Sequence, residues 1–314
     1  MVKPLFQRLA LIGLGLIGSS IAHAVQRKQL AGHITGYAPS AETRARAKTL
    51  GFCDSLYDTP QAAVEGADLV ILCAPVGALG DITRTLAPAL ASGAIISDVG
   101  SVKASVIRDM APFIPEGVHF VPAHPVAGTE ESGPDAGFAE LFDGRWCILT
   151  PTPTSDVEAV QHLKTFWIEC GAMVEVMEPD HHDLVLAITS HVPHLIAYNI
   201  VGTAARLGVV TNSEVTKYAA GGFRDFTRIA SSDPVMWRDI FLNNRTAVLD
   251  MLDRFQNDMD HLKQAIERSD GKALQDLFTS TRNIRQRIIE AGQESPEPDF
   301  ARKSTHTKTT TGDS

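Results

Sequence analysis

A glycine-rich turn directly after an apolar run constrains this chain more than any other feature. Arg8-Leu9-Ala10-Leu11-Ile12 reads as a strand, and Gly13-Leu14-Gly15-Leu16-Ile17-Gly18 follows, opening a helix-like segment. In such a turn the first glycine permits the tight reversal, and the second lets the backbone approach a pyrophosphate. The third lets the helix pack close to the strand. The first N–H groups of the helix then face the phosphates. Gly13, Gly15, Leu16, Ile17 and Gly18 are therefore candidate dinucleotide-binding residues. The same stretch imitates a secretory signal, because Lys3 and Arg8 precede an uncharged run in which Ala22-His23-Ala24 resembles a cleavage site. Three glycines weaken an apolar helix, which favours the strand–turn–helix reading.

Short apolar runs continue to alternate with helix-like segments. Strands are expected at Leu9–Ile12, His33–Tyr37, Leu69–Cys73, Ala94–Ser97, Val118–Val121 and Trp146–Leu149, with a further helix over Val157–Cys170 and a strand over Met173–Met177. The alternation predicts an α/β domain with a Rossmann-type doubly wound sheet over residues 1–179. After Pro179 the strand pattern stops, and residues 180–292 read as helices. In that half, Leu249, Leu252, Phe255 and Met259 recur at helical spacing as core or dimer contacts. Residues 293–314 are polar and Thr/Ser-rich, and are expected to be a disordered tail. Leu184 to Ala205 has no Asp, Glu, Lys or Arg and could span a membrane by length. However, Ser190, His191, Pro193, His194 and Asn199 load it with polar groups, so a buried helix at a domain or subunit interface is expected instead.

Composition narrows the functional classes. With 28 Lys+Arg against 37 Asp+Glu, the net charge of −9 argues against nucleic-acid or anionic-membrane binding through a basic surface. An anionic substrate must then be held by a few placed cations. Cys53, Cys73, Cys147 and Cys170 show no paired spacing, and read as reduced thiols of a cytoplasmic protein.

An acidic residue should end the second strand to bind the adenosine ribose. Ala38 stands there, followed by Ser40, Thr43 and Arg44, which suit a ribose 2′-phosphate, so the choice between NAD and NADP stays open. Ala74 and Pro75, in Cys73-Ala74-Pro75-Val76, end another strand where a cofactor would lie. Two later stretches also sit at expected strand ends, Asp98-Val99-Gly100-Ser101-Val102-Lys103 and Ala123-His124-Pro125-Val126-Ala127-Gly128. A Ser101 hydroxyl could hold one nitrogen of His124 while the other accepts a proton. In Phe223-Arg224-Asp225-Phe226-Thr227-Arg228-Ile229-Ala230, the Arg228 fork suits a carboxylate. A helix-surface ion pair with Asp225 or Asp233 explains Arg224 better than Arg228. His191 and His194 are spaced for one helix face but have no acidic or Cys partner nearby in sequence, so a substrate-pocket role is preferred to metal binding.

Taken in order, GLGLIGSS, DVGSVK, HPVAGTEESG, SHVPH and FRDFTRIA resemble the prephenate/arogenate (cyclohexadienyl) dehydrogenases of tyrosine biosynthesis, over roughly residues 8–290. The resemblance implies a Rossmann domain followed by an all-helical dimerisation domain, and a cytoplasmic homodimer. It implies a small-molecule substrate, prephenate, L-arogenate or both, with NAD or NADP as cofactor and no metal, nucleic acid or membrane. By the same resemblance His124 is the catalytic base and Ser101 its hydrogen-bond partner. Arg228 binds the ring carboxylate, and His191 and His194 line the pocket. Neither an appended chorismate mutase nor a regulatory ACT module is expected in this sequence. The rival reading is another Rossmann-plus-helical-domain dehydrogenase or imine reductase acting on a small carboxylate. Those families place a lysine or other acid on the first long helix of the second domain, where this chain has His191 and His194 and no lysine before Lys217.

Overall fold

The computed structural model describes residues 3–206 and 221–290. The expected tail and Lys217 lie outside the described residues. Strands β1 (Phe6–Ile12), β2 (Ala31–Tyr37), β3 (Ser55–Leu56), β4 (Leu69–Leu72), β5 (Ile95–Asp98) and β6 (His119–Phe120) form one sheet in the order β3-β2-β1-β4-β5-β6. All its pairings are parallel. Helices α1 (Leu16–Lys28), α2 (Ala41–Leu50), α3 (Pro60–Val64), α4 (Leu79–Leu86) and α5 (Ala104–Met110) connect the strands. Alternate residues of β1 enter opposite layers: Leu9 and Leu11 pack with Ile21, Phe166 and Trp167, whereas Ala10 and Ile12 pack with Leu79, Val106 and Trp237. A strand buried on both faces needs such a continuous apolar run. The order reverses between β1 and β4, which opens a crevice at their C-terminal ends.

The expected strands at Trp146–Leu149 and Met173–Met177 do not extend this sheet. After β6 the chain turns through Val121 and Pro122 into β7 (Ala123–Pro125), which pairs antiparallel with β8 (Trp146–Leu149). After α6 (Val157–Glu169), β9 (Met173–Val176) joins β8 in parallel to complete a separate three-stranded sheet. His124 thus sits within a strand of the small sheet, rather than at the end of a strand of the large one.

From Pro179 onward the described residues are helical: α7 (Pro179–Leu186), a π-helical turn (Ala187–His191), α8 (Val192–Arg206), α9 (Gly221–Thr227), α10 (Pro234–Asn243), α11 (Arg245–Glu267) and α12 (Gly271–Glu290). The chain divides into two compact units at Met251/Leu252. Trp237 and Ile240 of α10 fall in the first unit, buried in the same layer as Ala10, Val70 and Leu72.

Pro179–Arg206 is long and apolar enough to cross a membrane by length and composition, with 28% of its most apolar stretch buried. The expectation of a buried helix is met on one face only. Leu186, Ala187, His191, Val192 and Ala197 are buried, whereas Leu184, Ile188, Ile200 and Val201 are exposed. Leu249 and Met259 of α11 are exposed as well. All four cysteines are free thiols.

Candidate active site

The glycine turn ends β1 at the crevice. Gly13 has φ of 110°, and a Cβ there would lie 2.0 Å from the Cys73 carbonyl oxygen. A Cβ on Gly18 would lie 2.0 Å from the Gly13 carbonyl oxygen. Both glycines are therefore required by the packing of β1, α1 and the end of β4. Gly15 differs, since nothing lies within 4 Å of a Cβ built on it. It is the N-cap of α1 and offers no side chain to the helix start, so the first-turn N–H groups of Leu16, Ile17 and Gly18 have no intrahelical acceptor. Open space above free N–H groups at a positive helix end fits a pyrophosphate.

Ala38 is buried at the end of β2. Ser40 is the N-cap of α2, its hydroxyl accepting the Thr43 N–H at 3.2 Å. The Arg44 guanidinium donates to the carbonyls of Ala38 (2.7 Å) and Pro39 (3.1 Å) and pairs with the exposed Asp58 at 2.9 Å. A cation thus sits where a dinucleotide-binding fold commonly carries a carboxylate. Ala74 and Pro75 follow Cys73, whose carbonyl abuts Gly13.

Asp98 and Lys103 form a fully buried ion pair at the end of β5, with Nζ to Oδ2 at 2.5 Å. Lys103 also donates to the Ala123 carbonyl at 2.7 Å, while Asp98 accepts from the N–H of Gly100 (2.7 Å) and of Ala123 (3.3 Å). This pair joins the loop carrying Ser101 to the strand carrying His124. Burial drives the Lys103 pKa down, against the pull of Asp98.

His124 is buried, and its Nδ1 lies 2.8 Å from Nε2 of His182. The Nδ1 of His182 is in turn 2.8 Å from Oδ1 of Asp183. The Asp183 carboxylate also accepts the N–H groups of Lys103 (2.7 Å) and Ala104 (2.9 Å) at the start of α5. Burial foremost, then the proximity of His182, Lys103 and His191, holds the His124 pKa well below the usual imidazole range. Its neighbour His182 is lowered by burial and partly restored by Asp183.

The expected pairing of Ser101 with His124 is not formed: among the described residues the hydrogen-bond partner of the His124 ring is His182. Ser101 is instead near His191, whose protonated form its backbone carbonyl favours. Sequence reasoning missed His182 and Asp183, although a His-Asp pair opening an otherwise apolar helix was a visible signal.

His191 is also fully buried. The Asn244 amide nitrogen donates both to the Asp183 backbone carbonyl (2.8 Å) and to Nδ1 of His191 (3.0 Å). A flipped amide would set its oxygen against that carbonyl, so Nδ1 accepts and the hydrogen of neutral His191 is on Nε2. Among the described residues that Nε2 has no hydrogen-bond partner. Burial pushes His191 down to about 4. His194 donates from Nδ1 to the Ser190 carbonyl at 2.9 Å and stacks on Trp237 with ring centroids 3.6 Å apart. Arg228 is close enough that its charge adds to burial in lowering His194. It is half exposed and pairs with Glu130 at 2.9 Å, whereas Arg224 pairs with its neighbour Asp225 at 3.2 Å. One region thus brings together His124, His182, His191, His194 and Arg228, drawn from β7, the α7–α8 segment and the turn after α9.

Comparison with known proteins identifies the family. Residues 21–176 match the model of the prephenate dehydrogenase nucleotide-binding domain, and residues 178–280 that of the prephenate dehydrogenase dimerization domain. The cyclohexadienyl dehydrogenase of Zymomonas mobilis is 43% identical over 280 residues, covering 89% of this chain and 95% of the relative. The prephenate dehydrogenase of Bacillus subtilis is 36% identical, covering 88% of this chain and 75% of the relative. Among solved structures, Aquifex aeolicus prephenate dehydrogenase in complex with hydroxyphenyl propionate and NAD+ superposes with a TM-score of 0.83 at 35% identity, over 90% of this chain and 98% of the other. Synechocystis arogenate dehydrogenase gives 0.75 at 25% identity, over 90% and 100%. An open parallel sheet with a glycine turn at its switch point, a helical C-terminal region and these extended matches place the chain in the prephenate dehydrogenase family.

Proposed function

We propose that this enzyme catalyses the NAD(P)-dependent oxidative decarboxylation of prephenate, L-arogenate or both, to 4-hydroxyphenylpyruvate or L-tyrosine. The observation that carries the reading is a buried, neutral imidazole, His124, beside a nucleotide-binding crevice and in one cluster with a half-exposed arginine. The substrate ring bears a hydroxyl at C4 and a carboxylate on the opposite, quaternary carbon. His124 takes the hydroxyl proton as general base. When bound, the nicotinamide accepts the hydride from C4. Loss of CO2 then restores aromaticity, which makes the step strongly downhill.

Arg228 holds the ring carboxylate. Its contact with Glu130 is partly exposed, and such pairs contribute little, so a substrate carboxylate can replace it. His191 and His194 line the pocket, His191 offering its Nε2–H and His194 its Nε2 acceptor. Ser101 acts from the β5 loop beside His191. The first turn of α1 and Gly15 hold the pyrophosphate, with Ala74 and Pro75 along the nicotinamide side. NAD is the assigned cofactor, and NADP is accommodated as well, because Ala38 presents no carboxylate to repel a 2′-phosphate. Arg44 would exchange an exposed partner, Asp58, for that phosphate, with Ser40 beside it. A second copy of the chain covers the exposed apolar positions of α7, α8 and α11, giving a cytoplasmic homodimer.

The test is reduced-cofactor formation by purified protein, offering prephenate and L-arogenate each with NAD+ and NADP+. Turnover in at least one pairing is expected. None in all four, with folded protein that binds cofactor, would move the assignment to another dehydrogenase of the same architecture.

A further inference from the structure

The hydrogen bonds behind His124 have a direction, and it fixes which of its nitrogens is basic. The Asp183 carboxylate accepts from two backbone N–H groups and faces Nδ1 of His182 at 2.8 Å. A carboxylate in that role cannot donate, so His182 must carry its hydrogen on Nδ1. Neutral His182 then has only a lone pair on Nε2, 2.8 Å from His124. His124 must therefore donate from Nδ1, which leaves its Nε2 unprotonated. The opposite neutral arrangement would point the His182 Nδ1 lone pair at the carboxylate, and burial makes such a repulsion costly. The edge-on ring geometry, with centroids 5.1 Å apart and planes at 72°, fits a hydrogen bond rather than stacking.

We propose that His182, oriented by Asp183, is the positioning residue of the reaction: it locks His124 in the Nδ1–H tautomer and receives that proton as the substrate is oxidised. The proton accounting closes. The substrate hydroxyl proton goes to Nε2 of His124. The Nδ1 proton of His124 passes to Nε2 of His182, which keeps its Nδ1 hydrogen on Asp183. His124 is neutral again, and the positive charge rests one bond from a carboxylate. Other charged and titratable groups that act on the two rings are Lys103 and Asp98 from the β5 loop and His191 from the π-turn. Lys103 opposes a cation on either ring. Asp183 and Asp98 distinguish them, since both favour the protonated form of His182 only, Asp183 through a hydrogen bond as well as its charge.

This inference rests on the reading of His124 as the base, and two measurements separate their failures. Nitrogen-15 NMR of histidine-labelled protein bound to cofactor should show neutral His124 protonated at Nδ1, and His182→Phe should abolish that preference. Finding the His124 hydrogen on Nε2 in the unaltered enzyme overturns the proposal without any variant. In kinetics, His182→Phe should lower kcat by about 10²-fold or more with little change in KM, and shift the pH dependence of kcat. His182→Gln, whose amide oxygen can accept from Nδ1 but cannot take its proton, should keep the tautomer and still lose rate. Wild-type kcat and pH profile in both variants, while His124→Asn is inactive, overturn the relay and leave the base reading intact. Wild-type turnover in His124→Asn overturns the base reading, and the relay with it, whatever the NMR shows.

Discussion

Gly15 isolates the ligand's contribution from the fold's, because the folded chain itself makes no demand for glycine there. Its backbone is extended (φ −81°, ψ −163°), a conformation open to any residue, and a Cβ would meet nothing within 4 Å. Gly15→Ala at this N-cap should cost the cofactor-free protein less than about 1 kcal/mol. That corresponds to a Tm shift of at most roughly 2–4 °C for a chain of this size. The new methyl group instead stands over the first-turn N–H groups, where a phosphate must approach. Losing one charge-assisted hydrogen bond costs about 1.5–3 kcal/mol, so Kd for the dinucleotide should rise by about 10- to 150-fold. Gly18→Ala is the control: its Cβ would lie 2.0 Å from the Gly13 carbonyl oxygen, so the cofactor-free fold itself should lose about 1–3 kcal/mol or more. Thermal unfolding without cofactor and fluorescence titration with reduced cofactor measure the two effects. Unchanged affinity in a folded Gly15→Ala protein would refute the pyrophosphate placement.

Further outcomes follow from the same geometry. His124→Asn should lower kcat by about 10²–10⁴-fold while cofactor titration stays unchanged, whereas Arg228→Ala should act mainly through KM if it binds ground and transition states alike. Steady-state kinetics distinguish the two patterns. Lys103→Met leaves Asp98 buried without its counter-charge, and should cost about 3–5 kcal/mol in denaturant unfolding; a loss under 1 kcal/mol would mean that water reaches the pair. The buried histidines set the acid limit. His191, at about 4 when folded and 6.5 when unfolded, binds fewer protons folded than unfolded between those values. Its contribution is thus fully present above pH 6.5 and is lost as pH falls toward 4, about 3 kcal/mol in all. His124, His182 and His194 are shifted in the same direction. Unfolding free energy should therefore fall steeply between pH 6.5 and 4, and a flat profile there would contradict neutral burial of these rings.

The sequence was most legible where backbone geometry dictates residue type. Gly13 and Gly18 are forced by contacts that no side chain survives, and β1 by burial on both faces, so spacing and hydropathy alone located them. The small sheet was not legible, because Trp146–Leu149 is equally apolar whether it extends a parallel sheet or pairs with β7. Only the turn at Val121–Pro122 decides, and nothing local announces a change of sheet. The same holds for the surroundings of His124, for which sequence proximity suggested Ser101. Ser101 is closer in sequence, yet the ring's hydrogen-bond partner is His182, 58 residues on. Residues 180–292 read as a separate domain because the periodicity changes at Pro179. Within that span, Trp237 and Ile240 finish the layer begun by β1.

Asp183 belongs to a helix of the C-terminal half, yet its carboxylate closes the start of α5 and its carbonyl is gripped by Asn244. Mechanically, α7 and α5 are therefore a single block, with His124 and His182 clamped inside it. A hinge between the sheet and the helices cannot pass through α7 without uncoupling the histidines from each other.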